Sequence, residues 1–370
     1  MEQSLDTPMI LELLENAKRP ILLVGDGVRQ ANEVETLGVL SSKWKIPILS
    51  SRGAQDVGTN CDNYFGYIGS HGIRYSNFIF AKADLVLSLG NRLAFPVNSK
   101  SFCNALKNKW IIRVELDKDE LKREIFNSIV VNGDLTVVLK ELIKANKKIE
   151  CESWLEVCQK IRSELFYMDV NSAVSGIADI LRTTGNDCIL VSDVGNNEFW
   201  LSRAYEFAEC KSRILYSKSY GALGCGIGKA IGAYYSSRKN IIYFTGDQGF
   251  QVNIQELQLI SLERIPIGIV LVNNSSSGMI RDREIQKYKG HLIHVTKETG
   301  YGTPDFVMLA NAYHIPYQYY RQGMKISFPA LIELKIPEEI GLAPGLPKGN
   351  PMQAQSPLLD TDIFSKIESL

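Results

Sequence analysis

The sequence predicts an α/β protein with two doubly wound parallel-sheet domains. Short runs of Val, Ile and Leu alternate with longer amphipathic segments, and the alternation restarts after the charged stretch at residues 144–153. Near-continuous aliphatic strands separated by helices are typical of parallel sheets covered on both faces. The length of 370 residues also exceeds the usual size of one domain. We expect a central domain over residues 1–148, a second domain over 149–340 and a tail over 341–370.

Four strands and three helices are predicted in the first domain. The segment RPILLVGDG has the pattern of a strand that ends in a Gly-rich turn, and IPILSS, ADLVLSLGNRL and WIIRVELD are three further buried strands. The segments MEQSLDTPMILELLENAKRP, ANEVETLGVLSSKW and DLTVVLKELI are predicted as helices. These elements predict a central parallel sheet of the six-stranded type.

The second domain repeats the alternation with five predicted strands. They are CILVSDVG, RILYSKS, NIIYFTGD, GIVLVNN and PALIELKI. The helix between the third and fourth of these strands is apolar almost all round, which is expected of a buried crossover helix. The stretch PEEIGLAPGLPKGNPMQAQSP then concentrates Pro and Gly, which oppose regular structure. Residues 341–370 are therefore predicted as an extended tail.

The composition excludes several classes of function. The 41 basic and 41 acidic residues cancel, so there is no electrostatic reason to expect a nucleic acid or an anionic membrane as partner. The 7 cysteines are odd in number and contain no CxxC pair, which indicates neither a disulfide framework nor a zinc site. No apolar run reaches membrane-spanning length, and the N-terminal segment does not have the pattern of a signal peptide. We expect a soluble cytoplasmic protein that acts on small molecules.

An acidic turn and an Asn pair follow two consecutive strands of the second domain. Residues 240–245 are predicted as a strand that ends in the turn GDQG at 246–249, and the next strand, at 267–272, ends in NN. The carboxyl ends of parallel strands joined by a crossover helix lie side by side, so Asp247 and Asn274 should meet at one edge of the sheet. Oxygen ligands of this kind suit Mg²⁺, which commonly shares its shell with phosphates. The pattern predicts a Mg²⁺ site that holds a diphosphate.

This spacing also carries a family resemblance. GD followed after 27 residues by the second Asn of NN resembles the diphosphate and metal motif of thiamine-diphosphate-dependent enzymes, and the surroundings resemble the acetolactate synthase branch. GALGCGIGKAIGA is similar to the family block GxxxMGxGLPAAIGA, and SDVGNNEFW is similar to DVGQHQMW. The resemblance implies thiamine diphosphate and Mg²⁺ as cofactors, and a reaction that breaks or forms a carbon-carbon bond of a 2-keto acid such as pyruvate.

The resemblance implies three metal ligands and a set of cofactor contacts. The ligands are the side chains of Asp247 and Asn274 and the main-chain oxygen of Ser276. Leu223 corresponds to the bulky residue that holds the cofactor in its bent V conformation, and the Gly221 carbonyl corresponds to a partner of the aminopyrimidine ring. The implied contacts to the diphosphate and to the rings are, in chain order, Gly195, Asn196, Asn197, Gly221, Ala222, Leu223, Gly246, Asp247, Gln248, Gly249, Asn274, Ser276, Gly278 and Met279.

The first domain resembles the central domain of the same family. YIGSHGIRYSNFIFAKADLVLSLGNRL is similar to the family pattern in which HG, ADLLLAFGxRF and a terminal GD appear. In several relatives this domain binds FAD. Leu93, Ala94 and Phe95 replace the two acids that follow the Arg of the family, which puts FAD in doubt. The implied FAD contacts are Gly25, Gly27, His71, Arg92, Glu115 and Asp134.

The pyrimidine-binding domain with which family members begin has no counterpart in the sequence. That domain donates the glutamate that hydrogen-bonds the aminopyrimidine ring, and Glu198 lies at the wrong end of the cofactor to replace it. The catalytic residue is therefore unknown, and we expect the chain alone to be inactive. The resemblance implies a homo-oligomer, either a dimer or a tetramer. The sequence leaves open whether the missing domain was removed, is encoded as a separate chain or was lost.

Other functions remain open at this point. A non-catalytic homologue that retains cofactor binding, a decarboxylase or lyase for another 2-keto acid, and a nicotinamide or flavin oxidoreductase would each fit two such sheets. After GM the family has Gln-Trp, whereas this chain has Ile280 and Arg281, followed by Arg283. Two arginines could favour a substrate with an extra anionic group. Standing alone, Asp247 and Asn274 would each be read as turn residues.

Overall fold

A computed structural model describes residues 7–93, 100–145, 147, 149–217 and 220–370. The chain forms two compact units. Unit 1 extends to Asp169 and includes Ala343–Leu370, and unit 2 is Val170–Leu342. The division lies later than the expected 148/149 because the helix at Glu152–Leu165 packs its apolar face, including Trp154 and Ile161, into the core of unit 1.

Unit 1 contains a six-stranded parallel sheet. The strands follow the order β3-β2-β1-β4-β5-β6, and every pair is parallel. This is the strand order of dinucleotide-binding sheets, in which the connections change direction between β1 and β4. The strands are β1 Pro20–Val24, β2 Ile48–Ser50, β3 Tyr64–Tyr67, β4 Leu85–Leu89, β5 Trp110–Glu115 and β6 Ser128–Asn132.

Helices cover the sheet of unit 1 with their apolar stripes. In the helix Leu135–Lys144, for example, Leu135, Val138, Leu139 and Leu142 are buried at helical spacing. The helices are α1 Thr7–Asn16, α2 Gly27–Gln30, α3 Val34–Trp44, α4 Gln55–Gly58, α5 Arg74–Lys82, α6 Lys100–Leu106, α7 Lys118–Leu121, α8 Leu135–Lys144 and α9 Glu152–Leu165, with a 3-10 turn at Arg52–Ala54.

Unit 2 contains a second six-stranded parallel sheet, in the order β11-β12-β10-β9-β7-β8. The chain leaves β7 towards β8 on one side and returns to β9 on the other, so the crevice between β7 and β9 is the switch point of this sheet. The strands are β7 Cys188–Ser192, β8 Arg213–Leu215, β9 Asn240–Gly246, β10 Ile267–Asn273, β11 Tyr317–Tyr319 and β12 Ala330–Lys335.

Both faces of the second sheet are buried. On β10, Val270 and Val272 join one apolar cluster, whereas Ile269 and Leu271 join the cluster on the opposite face. The helices are α10 Ser172–Thr184, α11 Asn196–Phe207, α12 Gly226–Ser237, α13 Asp247–Val252, α14 Leu257–Leu262, α15 Gly278–Lys287 and α16 Phe306–Ala312, with 3-10 turns at Ile254–Glu256 and Lys297–Thr299. The predicted class, an α/β protein with two doubly wound parallel sheets, is confirmed.

Two expected elements differ from the structure. The crossover between β9 and β10 is not one buried helix: α13 and α14 are separated by a 3-10 turn, and Val252 and Leu262 are 50% and 71% exposed. The C-terminal segment is not simply extended, because it ends in helix α17, Thr361–Glu368, which begins at Asp360 as N-cap and buries Ile367 in the core of unit 1. Among the described residues, no helix is both long and apolar enough to cross a membrane.

Candidate functional site

The carboxyl ends of β9 and β10 meet at one edge of the second sheet. Val272 pairs with Gly246 in the parallel ladder, so the residues that follow the two strands are neighbours. Asp247 is 2% exposed and Asn274 is 5% exposed. The juxtaposition expected from the sequence is therefore present, with both side chains buried.

The Asp247 carboxylate has one satisfied oxygen and one without a partner. Oδ1 accepts a hydrogen bond of 2.9 Å from the Gln248 amide, and the nearby Ser276 amide favours the charged carboxylate. Oδ2 is buried, and no described residue makes a well-aligned hydrogen bond to it, although the Tyr301 hydroxyl lies close to the carboxylate. Burial raises the pKa of Asp247 to about 6, against the opposing effect of the nearby Tyr301 hydroxyl and backbone amides. An unpaired buried carboxylate oxygen is costly, and a bound cation would satisfy it.

The second strand end contributes an amide and a main-chain carbonyl. Asn274 Nδ2 is buried without a partner in the described part of the chain. The Ser276 carbonyl accepts a bond of 2.8 Å from the Gly278 amide, and this leaves its second lone pair available. No group of three or more His, Cys, Asp or Glu side chains is arranged to hold a metal ion within the described ranges. The candidate site therefore depends on one carboxylate with carboxamide and main-chain oxygens, a donor set that fits Mg²⁺.

The loop after β7 is tied to the end of β9 by a side chain. Asn197 Nδ2 donates to the carbonyl oxygens of Asp193 at 3.1 Å and Phe244 at 3.4 Å. A Cβ atom placed on Gly246 would lie 3.6 Å from Asn197 Oδ1. Gly195 has a φ of 131°, a conformation that favours glycine. The implied diphosphate loop thus lies across the switch point of the sheet, where open α/β sheets bind ligands.

Two further contacts bring the start of α15 into the site. Asn196 Nδ2 donates to Asp282 Oδ2 at 3.0 Å, and the Ser277 hydroxyl donates to Gln248 Oε1 at 2.9 Å. A Cβ atom on Gly278 would lie 2.8 Å from Asn274 Nδ2 and 3.0 Å from Asn196 Nδ2. Glycine at this position therefore lets the two carboxamides approach each other.

The turn that carries Leu223 lies against the loop after β9. A Cβ atom on Gly249 would lie 3.2 Å from Leu223 Cδ1, so the leucine side chain approaches the acidic turn. Leu223 is 40% exposed, and Gly221 and Ala222 are exposed on the same turn. Met279 is half-buried and follows Gly278 at the start of α15. All the implied cofactor-binding residues belong to unit 2.

The two arginines after Met279 differ in their surroundings, and their effect on the substrate stays a prediction. Arg281 is 5% exposed and donates to Asp282 Oδ1 at 2.8 Å, while Asp282 Oδ2 also accepts from the Leu342 amide. The Nη1 atom of Arg281 is buried without a hydrogen-bond partner in the described part of the chain, and Arg283 is exposed. Asp282 and Tyr301 are site residues that the sequence did not reveal. No pattern in the sequence around Tyr301 indicates a role in the site. The role of Asp282 follows from the burial of Arg281, which only the structure shows.

The residues implied for FAD have structural partners in unit 1. The Asp134 carboxylate caps α8 by accepting from the Thr136 amide, and Glu115 Oε1 accepts from the Leu116 amide at 3.0 Å. Cβ atoms on Gly25 and Gly27 would lie 2.2 and 2.8 Å from the Gly90 carbonyl oxygen, so β1 and β4 end in a tightly packed turn. Arg92 pairs with Glu120 and His71 lies beside the Pro344 carbonyl. Leu93 is described and buried, whereas Ala94 and Phe95 lie outside the described residues.

Two family models match the chain, one in each unit. The model described as thiamine pyrophosphate enzyme, C-terminal TPP binding domain, matches residues 193–332. The model described as thiamine pyrophosphate enzyme, central domain, matches residues 9–142. The fold, the strand-end site and these two matches agree, and the chain belongs to the thiamine pyrophosphate enzymes.

Curated relatives narrow the similarity to one branch. The chain is 28% identical over 357 residues to the acetolactate synthase large subunit of Lactococcus lactis, covering 92% of this chain and 61% of the relative. It is 29% identical to that of Cyanidium caldarium, covering 90% and 57%, and 30% identical to that of Porphyra purpurea, covering 83% and 53%. The chain is thus a homologue of acetolactate synthase large subunits and spans somewhat more than half of their length.

Proposed function

We propose that this chain is the thiamine diphosphate- and Mg²⁺-binding portion of an enzyme similar to acetolactate synthase, acting on 2-keto acids by decarboxylation and carboligation. The observation that carries the proposal is the buried, unpartnered Oδ2 of Asp247 beside the Ser276 amide, at the ends of two adjacent parallel strands. A carboxylate left unpaired in a protein interior costs free energy, and functional sites are where such costs persist. The match to a TPP-binding domain over residues 193–332 identifies the cofactor class.

The residues at the strand ends have distinct roles in this proposal. Asp247, Asn274 and the Ser276 carbonyl would hold Mg²⁺, which would supply positive charge for the diphosphate. Gly195 and Gly249 lack side chains where the loops pack closely, so backbone amides can approach phosphate oxygens. When bound, thiamine diphosphate supplies a nucleophilic carbon and an electron sink for decarboxylation.

The remaining cofactor contacts orient the organic part of the molecule. Leu223 supports the bent conformation from the turn above Gly249, and the Gly221 carbonyl accepts a hydrogen bond from the aminopyrimidine. Met279 contacts the thiazolium ring. Arg281 pairs with Asp282 through its Nη2 atom, so the pair orients the start of α15 beside these contacts.

Several features of the complete enzyme are part of the same proposal. The glutamate that activates the aminopyrimidine comes from a pyrimidine domain outside this sequence, carried by another segment or a separate chain. The protein works as a homodimer or tetramer in the cytoplasm. Unit 1 serves as the central domain and unit 2 as the cofactor-binding domain, and the replacement of the two family acids by Leu93, Ala94 and Phe95 argues against FAD in unit 1.

Calorimetric titration tests the cofactor assignment. Thiamine diphosphate should bind with Mg²⁺ present and not in EDTA, and Asp247→Ala should abolish the binding. Asp187→Ala is the matched control, because Asp187 is an exposed carboxylate of the same unit, with its side chain 94% exposed, and this variant should bind like the wild type. Equal binding in EDTA, or by Asp247→Ala, would contradict the proposed metal site.

Turnover tests the catalytic part separately. The chain is mixed with a recombinant pyrimidine domain from an acetolactate synthase, and pyruvate consumption is measured. Consumption that requires both polypeptides and Mg²⁺ supports the proposal. Cofactor binding without turnover would instead indicate a homologue that retains the cofactor but not catalysis.

A further inference from the structure

Asp193 is a buried carboxylate that the metal site does not use. It follows β7 directly and is fully buried, with 0% exposure. Its Oδ1 accepts from the Val194 amide at 2.8 Å. Its Oδ2 accepts from the hydroxyls of Tyr243 at 3.3 Å and Thr245 at 3.4 Å. Unlike Asp247, this side chain is surrounded by donors on both oxygens, so it has no free lone pair aimed at a cation.

Both oxygens of Asp193 also hold the turn that carries Leu223. The Gly224 amide donates to Oδ1 and to Oδ2, each at 3.0 Å. The carbonyl oxygen of the same residue accepts from Asn253 Nδ2 at 3.0 Å. Hydrogen bonds therefore hold Gly224 on both sides: Asp193, which follows β7, binds its amide, and Asn253, which follows α13, binds its carbonyl. Hydrogen bonds to a charged acceptor are the stronger kind, so the Asp193 contact should dominate.

The backbone at Gly224 cannot easily adopt another course. Its φ is 82°, and an added Cβ would lie 2.4 Å from Val252 Cβ. Leu223 precedes this residue, and its Cδ1 lies against the position of Gly249. A Cβ atom added to Gly249 would also lie 2.7 Å from Asp193 Oδ2. One carboxylate thus contacts the turn of Leu223 and underlies the acidic loop on which the leucine rests.

We propose that Asp193 is a positioning residue that acts through the Gly224 amide to hold Leu223 where it supports the ring portion of the cofactor. Both of its carboxylate oxygens accept from protein donors, so it is not assigned as a ligand of the metal ion. This inference rests on the proposed function, since it assigns a role towards thiamine diphosphate. Loss of Asp193 should weaken the contribution of the rings to binding and leave the contribution of the diphosphate in place.

Two ligands separate these contributions in the full chain. Inorganic pyrophosphate and thiamine diphosphate are each titrated calorimetrically at the same Mg²⁺ concentration. The ratio of their affinities measures the contribution of the thiamine rings to binding. Asp193→Asn keeps the shape of the side chain but removes the charge that the Gly224 amide faces. We expect pyrophosphate affinity within about twofold of the wild type and thiamine diphosphate affinity lower by about tenfold. Asp187→Asn, at an exposed carboxylate one strand-length earlier, should change neither value.

A double-mutant cycle tests whether the effect passes through Leu223. Leu223→Ala should lower the same affinity ratio, and adding Asp193→Asn to it should produce little further loss, because the two changes remove one interaction. Additive losses in the double variant would overturn the proposal. A parallel fall in pyrophosphate affinity would overturn it as well, since the carboxylate would then be shaping the diphosphate site.

A milder variant keeps the test decisive if Asp193→Asn does not fold. Asn253→Ala releases the carbonyl side of Gly224 and leaves Asp193 intact, and it should lower the affinity ratio in the same direction by a smaller factor. An unchanged ratio in this folded variant would contradict the role of the Gly224 peptide. If the wild type binds neither ligand, the proposed function itself fails; if it binds both and the ratio does not respond, only the role of Asp193 fails.

Discussion

Replacing Asp247 by Asn should stabilise the metal-free protein and abolish its response to the cofactor. The unpartnered Oδ2 of Asp247 is buried beside the Tyr301 hydroxyl. Leaving a buried acceptor unsatisfied costs about 1–3 kcal/mol, and more if it is charged. Asn keeps an oxygen for the Gln248 amide, and its amide nitrogen replaces Oδ2 and can donate a hydrogen bond to the Tyr301 oxygen. We therefore expect a gain of about 2 kcal/mol, or about 4–8 °C in Tm for a unit of this size.

When Mg²⁺ and thiamine diphosphate are present, we expect the wild type to be the more stable of the two proteins. A ligand at a hundredfold excess over its Kd stabilises the folded state by about 2.7 kcal/mol, and only the wild type should gain it. Thermal unfolding of both proteins is followed in EDTA and again with Mg²⁺ and thiamine diphosphate. The reasoning is refuted if Asp247→Asn melts below the wild type in EDTA and still gains Tm with the ligands.

Three further changes test particular contacts by thermal unfolding. Gly249→Ala would place Cβ 2.7 Å from Asp193 Oδ2 and should lower the free energy of unfolding by about 1–3 kcal/mol. The control Gly232→Ala, in open space on α12, should raise it by up to about 1 kcal/mol. Equal effects of the two substitutions would contradict the packing around Gly249. Glu333→Gln weakens the bonds that Asn273 Nδ2, at 2.6 Å, and Tyr317 donate to this buried carboxylate, and a loss of about 1–3 kcal/mol is expected. Burial lowers the pKa of Lys109 to about 8 from 10.5. The buried charge therefore destabilises the folded protein fully below pH 8, and this destabilisation disappears as the pH rises towards 10.5. Lys109→Met should therefore raise Tm at pH 7 more than at pH 10, and an equal gain would exclude the charge as cause.

The interior strands were predictable because a strand that is buried on both faces has a continuous run of apolar residues in its sequence. The predicted strands at 240–245 and 267–272 correspond to Asn240–Gly246 and Ile267–Asn273. The strands that the sequence did not reveal are β3, β6 and β11, and each lies at an edge of its sheet. β6 and β11 are largely half-exposed, because an edge strand has one neighbour and its sequence is less constrained by burial. β3 is buried at every position, but it is short and contains a glycine, which weakens its strand pattern.

The site was predictable to the extent that strand order decides it. Asp247 and Asn274 follow consecutive strands, and parallel strands end at one edge, so their proximity follows from topology alone. The role of Asp193 could not be read in this way, because its partners Gly224 and Tyr243 are distant in sequence. The pairing of Arg281 with Asp282 depends on how α15 packs, and adjacent opposite charges in a sequence are usually solvated rather than buried.

A crystal structure of the chain with Mg²⁺ and thiamine diphosphate measures the central claim most directly. The account predicts one ion coordinated at about 2.1 Å by side-chain oxygens of Asp247 and Asn274 and by the Ser276 carbonyl, with the remaining positions taken by the diphosphate and water. A diphosphate bound elsewhere, or an ion that reaches only one of the two side chains, would contradict it.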